Sequence, residues 1–131
     1  MKRILIIDDD EEMCAELSEM LRAEEGFEVE AVFDGASGRR SIEHNPYDVV
    51  ILDLKLPRLN GYEVLRNVRQ AGSSVKILVL SGRPLSGPLL DEAENRKKDE
   101  EEQILSMADA VMNKPFEVAK FLATVKELAG K

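Results

Sequence analysis

Ile4-Leu5-Ile6-Ile7, Val49-Val50-Ile51-Leu52 and Ile77-Leu78-Val79-Leu80 are unbroken runs of branched aliphatic residues. A strand with one wet face alternates apolar and polar positions. Runs without alternation therefore belong to strands covered on both faces, the central strands of a parallel sheet. Phe27-Glu28-Val29-Glu30-Ala31-Val32 does alternate, which predicts a strand at the sheet margin. The shorter run Ala110-Val111-Met112-Asn113 predicts a last strand. Between the strands apolar residues recur at helical spacing: Met13, Leu17, Met20 and Leu21; then Val64, Leu65 and Val68; then Val118, Phe121, Leu122, Val125 and Leu128. Strand followed by helix, repeated along the chain, implies an α/β domain with right-handed crossovers and helices on both faces of a parallel sheet. The chain is expected to form one domain over residues 1–131.

In doubly wound sheets ligands bind outside the carboxyl ends of the strands, near the point where the winding reverses. The residues at those ends here are Asp8 and Asp9 after the first run, Asp53 after the third, Ser81 after the fourth and Lys114 after the last. They can converge although they are far apart in sequence. Three carboxylates brought together repel one another unless a cation sits between them. Oxygen ligands from Asp, completed by water and a backbone carbonyl, match magnesium, which leaves an open side for phosphate oxygens. Zinc is disfavoured because no Cys or His cluster exists. Lys114 and Ser81 supply the positive charge and the hydroxyl that hold phosphoryl oxygens during transfer, and Asp53 can attack phosphorus to give an acyl phosphate. Taken singly, each residue has a plain structural role, such as an Asp capping the next helix; their joint placement on the right strands favours the chemistry. Asp10 is expected to cap the first helix, with Glu11 and Glu12 in its first turn, and Phe33-Asp34-Gly35 and Gly72-Ser73-Ser74 to supply turns.

Composition narrows the partners. A net charge of −8 over 131 residues, with no basic stripe, argues against direct binding to nucleic acid. No apolar stretch is long enough to span a bilayer and nothing resembles a signal peptide, so a cytoplasmic protein without membrane contact is expected. Cys14, the only cysteine, shares the apolar stripe of the first helix and reads as packing. His44, the only histidine, lies in a polar segment away from the strand ends and reads as a surface residue.

The ordered set Ile6-Ile7-Asp8-Asp9-Asp10-Glu11-Glu12, Asp48 through Pro57 and on to Gly61, Leu80-Ser81-Gly82 and Asn113-Lys114-Pro115-Phe116 resembles the receiver domain of two-component response regulators, over essentially the whole chain. The resemblance implies a flavodoxin-like (βα)5 fold with strand order 2-1-3-4-5. It implies Asp53 as phosphoacceptor, Asp8 and Asp9 as the acidic pair on magnesium, and the Lys55 backbone carbonyl as a further ligand. Lys114 would pair with the phosphoryl group, Ser81 would be the switch hydroxyl, Gly82 would leave room for the phosphoryl group, and Lys114-Pro115 would be cis. The implied partners are a sensor histidine kinase or phosphotransfer protein that donates from a phosphohistidine, and a downstream protein or output domain. A monomer is expected before phosphorylation, with dimerisation possible afterwards.

The sequence departs from the pattern twice. Val111 stands where family members carry Tyr or Phe, so either the readout of phosphorylation differs or Val111 is a plain core strand residue. The stretch from Ser81 to Lys114 is longer than usual, with an insertion around Arg83 to Lys98. Gly87-Pro88 could start a helix there, with Glu92–Arg96, Glu94–Lys98 and Lys98–Glu102 at ion-pair spacing. From Glu94 to Gln103 there is no apolar residue, so this section cannot pack on the sheet. It reads as a solvated excursion or as a partner or dimer surface. Lys55 and Arg83, two positions beyond the acceptor and the switch hydroxyl, either tune access of water to the phosphoryl group or are ordinary exposed cations.

The reading that accounts for most residues is a signalling module, not an enzyme, that catalyses only its own phosphorylation and dephosphorylation. Two alternatives stand beside it. One is a receiver-like adaptor that works without phosphorylation; the other is an Asp-nucleophile phosphohydrolase of the haloacid dehalogenase type, whose paired aspartates Asp8 and Asp10 imitate. No output domain follows the last helical pattern, which ends near Ala129-Gly130-Lys131, so either a stand-alone regulator or an excised receiver is expected.

Overall fold

A computed structural model describes residues 1–56, 58–82 and 92–130, with backbone alone for 92–98. The elements are β1 (Lys2–Ile7), α1 (Glu11–Arg22), β2 (Phe27–Val32), α2 (Gly35–His44), β3 (Val49–Asp53), α3 (Gly61–Gln70), β4 (Lys76–Ser81), α4 (Glu92–Leu105), β5 (Ala110–Asn113) and α5 (Val118–Leu128). All strand pairs are parallel and the sheet order is β2-β1-β3-β4-β5, as expected. The winding therefore reverses between β1 and β3, and the carboxyl ends of these two strands flank the switch point.

The unbroken aliphatic runs are explained by two separate cores. Ile4, Ile6, Val49, Ile51, Leu78 and Leu80 face one side, against Cys14, Leu17 and Leu21 of α1 and Phe121 and Val125 of α5. Leu5, Ile7, Val50, Leu52, Ile77 and Val79 face the other, against Val64, Leu65 and Val68 of α3 and Leu105 of α4. Strand β2 is at the edge: Phe27 and Val29 are buried while Glu28 and Glu30 are exposed. Glu30 accepts from Arg3 Nη2 at 2.7 Å and from the Tyr47 hydroxyl at 2.6 Å, and these two partners hold its carboxyl below its ordinary pKa, the tyrosine contributing most.

Side-chain oxygens of Asp10, Asp34 and Asn60 accept from the backbone N–H of Met13, Ser37 and Glu63, capping α1, α2 and α3. Phe33-Asp34-Gly35 is thus the entry to a helix more than a free-standing turn. Helix α4 behaves as its composition requires. Asp99, Glu100, Glu102 and Gln103 are exposed, and among its described side chains those that pack on the domain are in the last turn, where Leu105 is buried and Ile104 packs beside it. The Gly87-Pro88 helix start and the insertion ion pairs lie outside the described residues and side chains.

The chain leaving α4 is fastened by a partly exposed ion pair. Arg69 donates from Nε to the Met107 carbonyl at 2.9 Å and from Nη2 to Asp109 Oδ2 at 2.9 Å, while the same carboxylate oxygen accepts from the Ile77 N–H at 2.8 Å. Removing the carboxylate strands a strand-start N–H and half of a guanidinium fork. Asp109→Ala is therefore expected to cost about 1–3 kcal/mol in urea unfolding.

Val111 differs from the plain core reading. It is 42% exposed, whereas its neighbour Met112 is 8% exposed. Strand β5 is the other sheet edge, and among the described side chains of α4 only those of its last turn, Ile104 and Leu105, are apolar.

Candidate functional site

The parallel register brings the strand ends level. Ile7 lies opposite Leu52, so Asp8 follows β1 beside Asp53, the last residue of β3. Asp53 lies opposite Leu80, and Ser81 ends β4 opposite Asn113. The Ser81 carbonyl accepts from the Lys114 N–H at 2.7 Å, which ties the ends of β4 and β5 together. Five residues singled out from four distant segments thus share one end of the sheet.

Asp8, Asp9 and Asp53 each offer a carboxylate oxygen, and these oxygens lie within 4.8 Å of one another. Asp8 and Asp53 are buried, at 2% and 7% exposure, whereas Asp9 is exposed. Lys114 reaches between the buried two, with Nζ 3.5 Å from Asp8 Oδ2 and 3.6 Å from Asp53 Oδ1. Among the described residues, Lys114 is the one cation paired within this group of three carboxylates. The Asp53 carboxyl is consequently held above its ordinary pKa: burial is the largest cause and the Asp8 charge the next, outweighing the opposing pull of Lys114 and of the Lys55 N–H, which donates to this carboxylate.

This donor set fits a hard cation. Oxygens around magnesium at about 2.1 Å lie roughly 3–4 Å apart, so carboxylates within 4.8 Å need a bridging water or a small closure to share one ion. Neither a thiol nor an imidazole joins the group: Cys14 is buried in the α1 core, its Sγ donating to the Asp8 carbonyl at 3.3 Å, and burial pushes the thiol up to about 11. His44 is exposed at the end of α2.

The remaining expectations are placed as follows. Ser81 is buried, at 2% exposure. The Lys55 side chain is exposed, and Arg83 lies outside the described residues. The Lys114-Pro115 bond is cis, as expected. A Cβ on Gly82 would meet no atom within 4 Å, so no protein contact demands glycine there.

Two supports escaped the sequence reading. Asp8 Oδ1 accepts from the Asp10 N–H at 2.9 Å, an Asx turn that aims the carboxylate into the site. The spacing Asp8-x-Asp10 was its signal. The second is Gly61, whose N–H donates to the Leu54 carbonyl at 3.0 Å and whose missing Cβ would collide with the Asp53 carbonyl oxygen and sit 2.5 Å from Leu54 Cα. Asn60-Gly61 reads as a turn dipeptide, but close approach beneath the acceptor is a tertiary fact.

Comparison with known proteins agrees with this arrangement. A family described as the response regulator receiver domain matches residues 4–126. The transcriptional regulatory protein DltR of Streptococcus agalactiae is 33% identical over 124 residues, covering 95% of this chain and 50% of that protein. The chain therefore spans about half the length of the curated relatives it matches. Among solved structures, the receiver domain of the sensor histidine kinase PA1611 from Pseudomonas aeruginosa, with magnesium in its active-site cleft, superposes with a TM-score of 0.79 at 28% identity, covering 99% of this chain and 98% of that one. The response regulator TrrA of Thermotoga maritima, in complex with magnesium and beryllofluoride, gives 0.78 at 28% identity over 98% and 99% of the two chains. A structure of TrrA with the histidine kinase ThkA gives 0.75 at 29% identity over 98% of each. In sequence, in strand order and in the acidic cluster at the switch point, the chain belongs to the response regulator receiver domains of two-component systems.

Proposed function

We propose that this domain accepts a phosphoryl group on Asp53 from a phosphohistidine of a partner kinase or phosphotransfer protein, in a magnesium-dependent reaction that alters its partner-binding surface. The observation that carries the proposal is the cluster of three carboxylates around Lys114 at the switch point, in which Asp53 ends a central strand and has its charge disfavoured by burial.

Asp8, Asp9, Asp53 and the Lys55 carbonyl would hold the magnesium, which when bound offsets carboxylate charge and that of phosphoryl oxygens. The chain's own groups do the rest. Asp53 forms a P–O bond as the P–N bond to the donor histidine breaks, and the histidine leaves with its electron pair and takes up a proton. Lys114, already 3.6 Å from Asp53 Oδ1, moves onto a phosphoryl oxygen that replaces this contact. The Ser81 hydroxyl donates to another, and Asp8, aimed by the Asp10 N–H, keeps the ion in register. Nothing in this scheme turns over a separate substrate, so the domain acts only on its own phosphorylation and dephosphorylation.

A downstream protein or an output domain would read the changed surface, as the length of the relatives and their regulatory names encourage. No described helix is long and apolar enough to cross a membrane, in keeping with a cytoplasmic role. We expect a monomer that gains self-affinity once phosphorylated.

Magnesium and beryllofluoride give the test. At a magnesium concentration ten times its dissociation constant, the melting temperature should rise by a stabilisation of about 1.4 kcal/mol. Beryllofluoride should raise it further, only when magnesium is present, and shift the amide resonances of Lys55, Ser81 and Lys114. Magnesium without effect on stability, or beryllofluoride without effect on these amides, would favour the adaptor reading.

A further inference from the structure

We propose that Gly35, on an element that supplies no ligand, is a positioning residue for the metal site. The inference rests on the magnesium-dependent reading above. The loop between β3 and α3 carries Lys55, and it is held at two points. At one, Gly61 lies directly beneath Asp53 and Leu54. At the other, Gly35 at the start of α2 abuts Leu59: a Cβ there would collide with the Leu59 carbonyl oxygen and lie 2.6 Å from its carbonyl carbon.

Conformation does not demand glycine at position 35, because the positive-φ glycines described are Gly26, Gly72 and Gly130. Space does. The loop's geometry also needs holding, since Arg58 sits at φ 70°, in the left-handed region that is unfavourable for a residue with a Cβ. Such a conformation persists only where its surroundings enforce it. The start of α2 supplies that enforcement in two ways. Gly35 is buried against Leu59, and the Asp34 carboxylate, whose pKa is lowered chiefly by the Ser37 N–H, also feels the Arg58 charge. Asp34 itself is fixed by accepting from Ser37 N at 2.8 Å and from Ser37 Oγ at 2.9 Å. The first turn of α2 is therefore a rigid stop for the loop that presents the Lys55 carbonyl and N–H to the site. Magnesium tolerates little departure from octahedral geometry, so pushing Leu59 outward weakens binding without touching a ligand side chain.

The test compares magnesium affinity, read from the amide shift of Lys55, in the full chain and in Gly35→Ala, Asp34→Ala and Val125→Ala. Val125 is buried in the opposite core, so its truncation lowers stability without touching the loop. All four are measured below the lowest melting temperature. Gly35→Ala is expected to bind magnesium at least tenfold more weakly, Asp34→Ala several-fold more weakly, and Val125→Ala as wild type does. Should Gly35→Ala fail to fold, Asp34→Ala, which only loosens the helix start, decides the matter. Wild-type affinity in the Gly35 and Asp34 variants, or equal weakening in Val125→Ala, overturns the positioning role. A wild type that binds no magnesium instead overturns the function proposed above, and the inference with it.

Discussion

Asp53→Asn is expected to make the metal-free protein more stable at neutral pH while abolishing its phosphoryl adduct. The two effects have one origin. Asp53 is almost fully buried beside Asp8, so its folded pKa is raised by burial first and by Asp8 second, with Lys114 compensating only in part. A carboxyl whose pKa rises on folding binds more protons in the folded than in the unfolded state. Stability then falls as pH rises, beginning near the unfolded value of about 4 and ending above the raised folded value. At neutral pH, above the unfolded value, the penalty is present, and the neutral amide removes it. The expected gain is on the order of 1 kcal/mol, or roughly 3–6 °C in melting temperature for a domain of this size. Thermal melts of both proteins in chelator should show wild type losing ground to Asp53→Asn as pH rises from 4 to 7. In magnesium the ranking should narrow, because the ion neutralises wild type preferentially.

Lys114→Ala is expected to slow adduct formation from acetyl phosphate by about 10²–10³, the usual consequence of removing one preorganised charge from a transfer site. Lys114 is the only cation within 4 Å of both Asp8 and Asp53 among the described residues, and none of those stands ready to replace it. Its removal also leaves two buried carboxylates and exposed Asp9 uncompensated. The metal-free variant should therefore lose stability, and its melting temperature should respond to magnesium more steeply than that of wild type. Rates from timed intact-mass measurements, paired with melts across a magnesium series, separate these outcomes. An unchanged rate would remove Lys114 from the phosphoryl contacts.

The central strands and the site were legible because both depend on local pattern. Ile4 to Ile7 and Ile77 to Leu80 can be apolar throughout only where both faces are covered, and the parallel topology then forces Asp8, Asp53, Ser81 and Lys114 to one end. The alternation Phe27-Glu28-Val29-Glu30 gave away the edge for the same reason. Exposure of Val111 was not legible: its own residue type reads as core, and exposure depends on what packs over an edge strand, not on the strand's own sequence. Nor were the close approaches of Gly35 to Leu59 and of Gly61 to Asp53, since a glycine chosen for space looks in sequence like a glycine chosen for a turn. The role of Asp109 was not legible either, since Arg69 and the Ile77 N–H, which share its carboxylate, lie 40 and 32 positions away in sequence.

The central claim is that Asp53 is the phosphoacceptor of a magnesium-dependent site. Intact mass after incubation with acetyl phosphate tests it most directly, with wild type, Asp53→Asn and wild type in chelator run side by side. The account predicts one phosphoryl adduct in wild type with magnesium, and none in the other two. An adduct that persists in Asp53→Asn or in chelator would contradict it, as would a wild type that gains no mass and shows no magnesium-dependent binding of beryllofluoride.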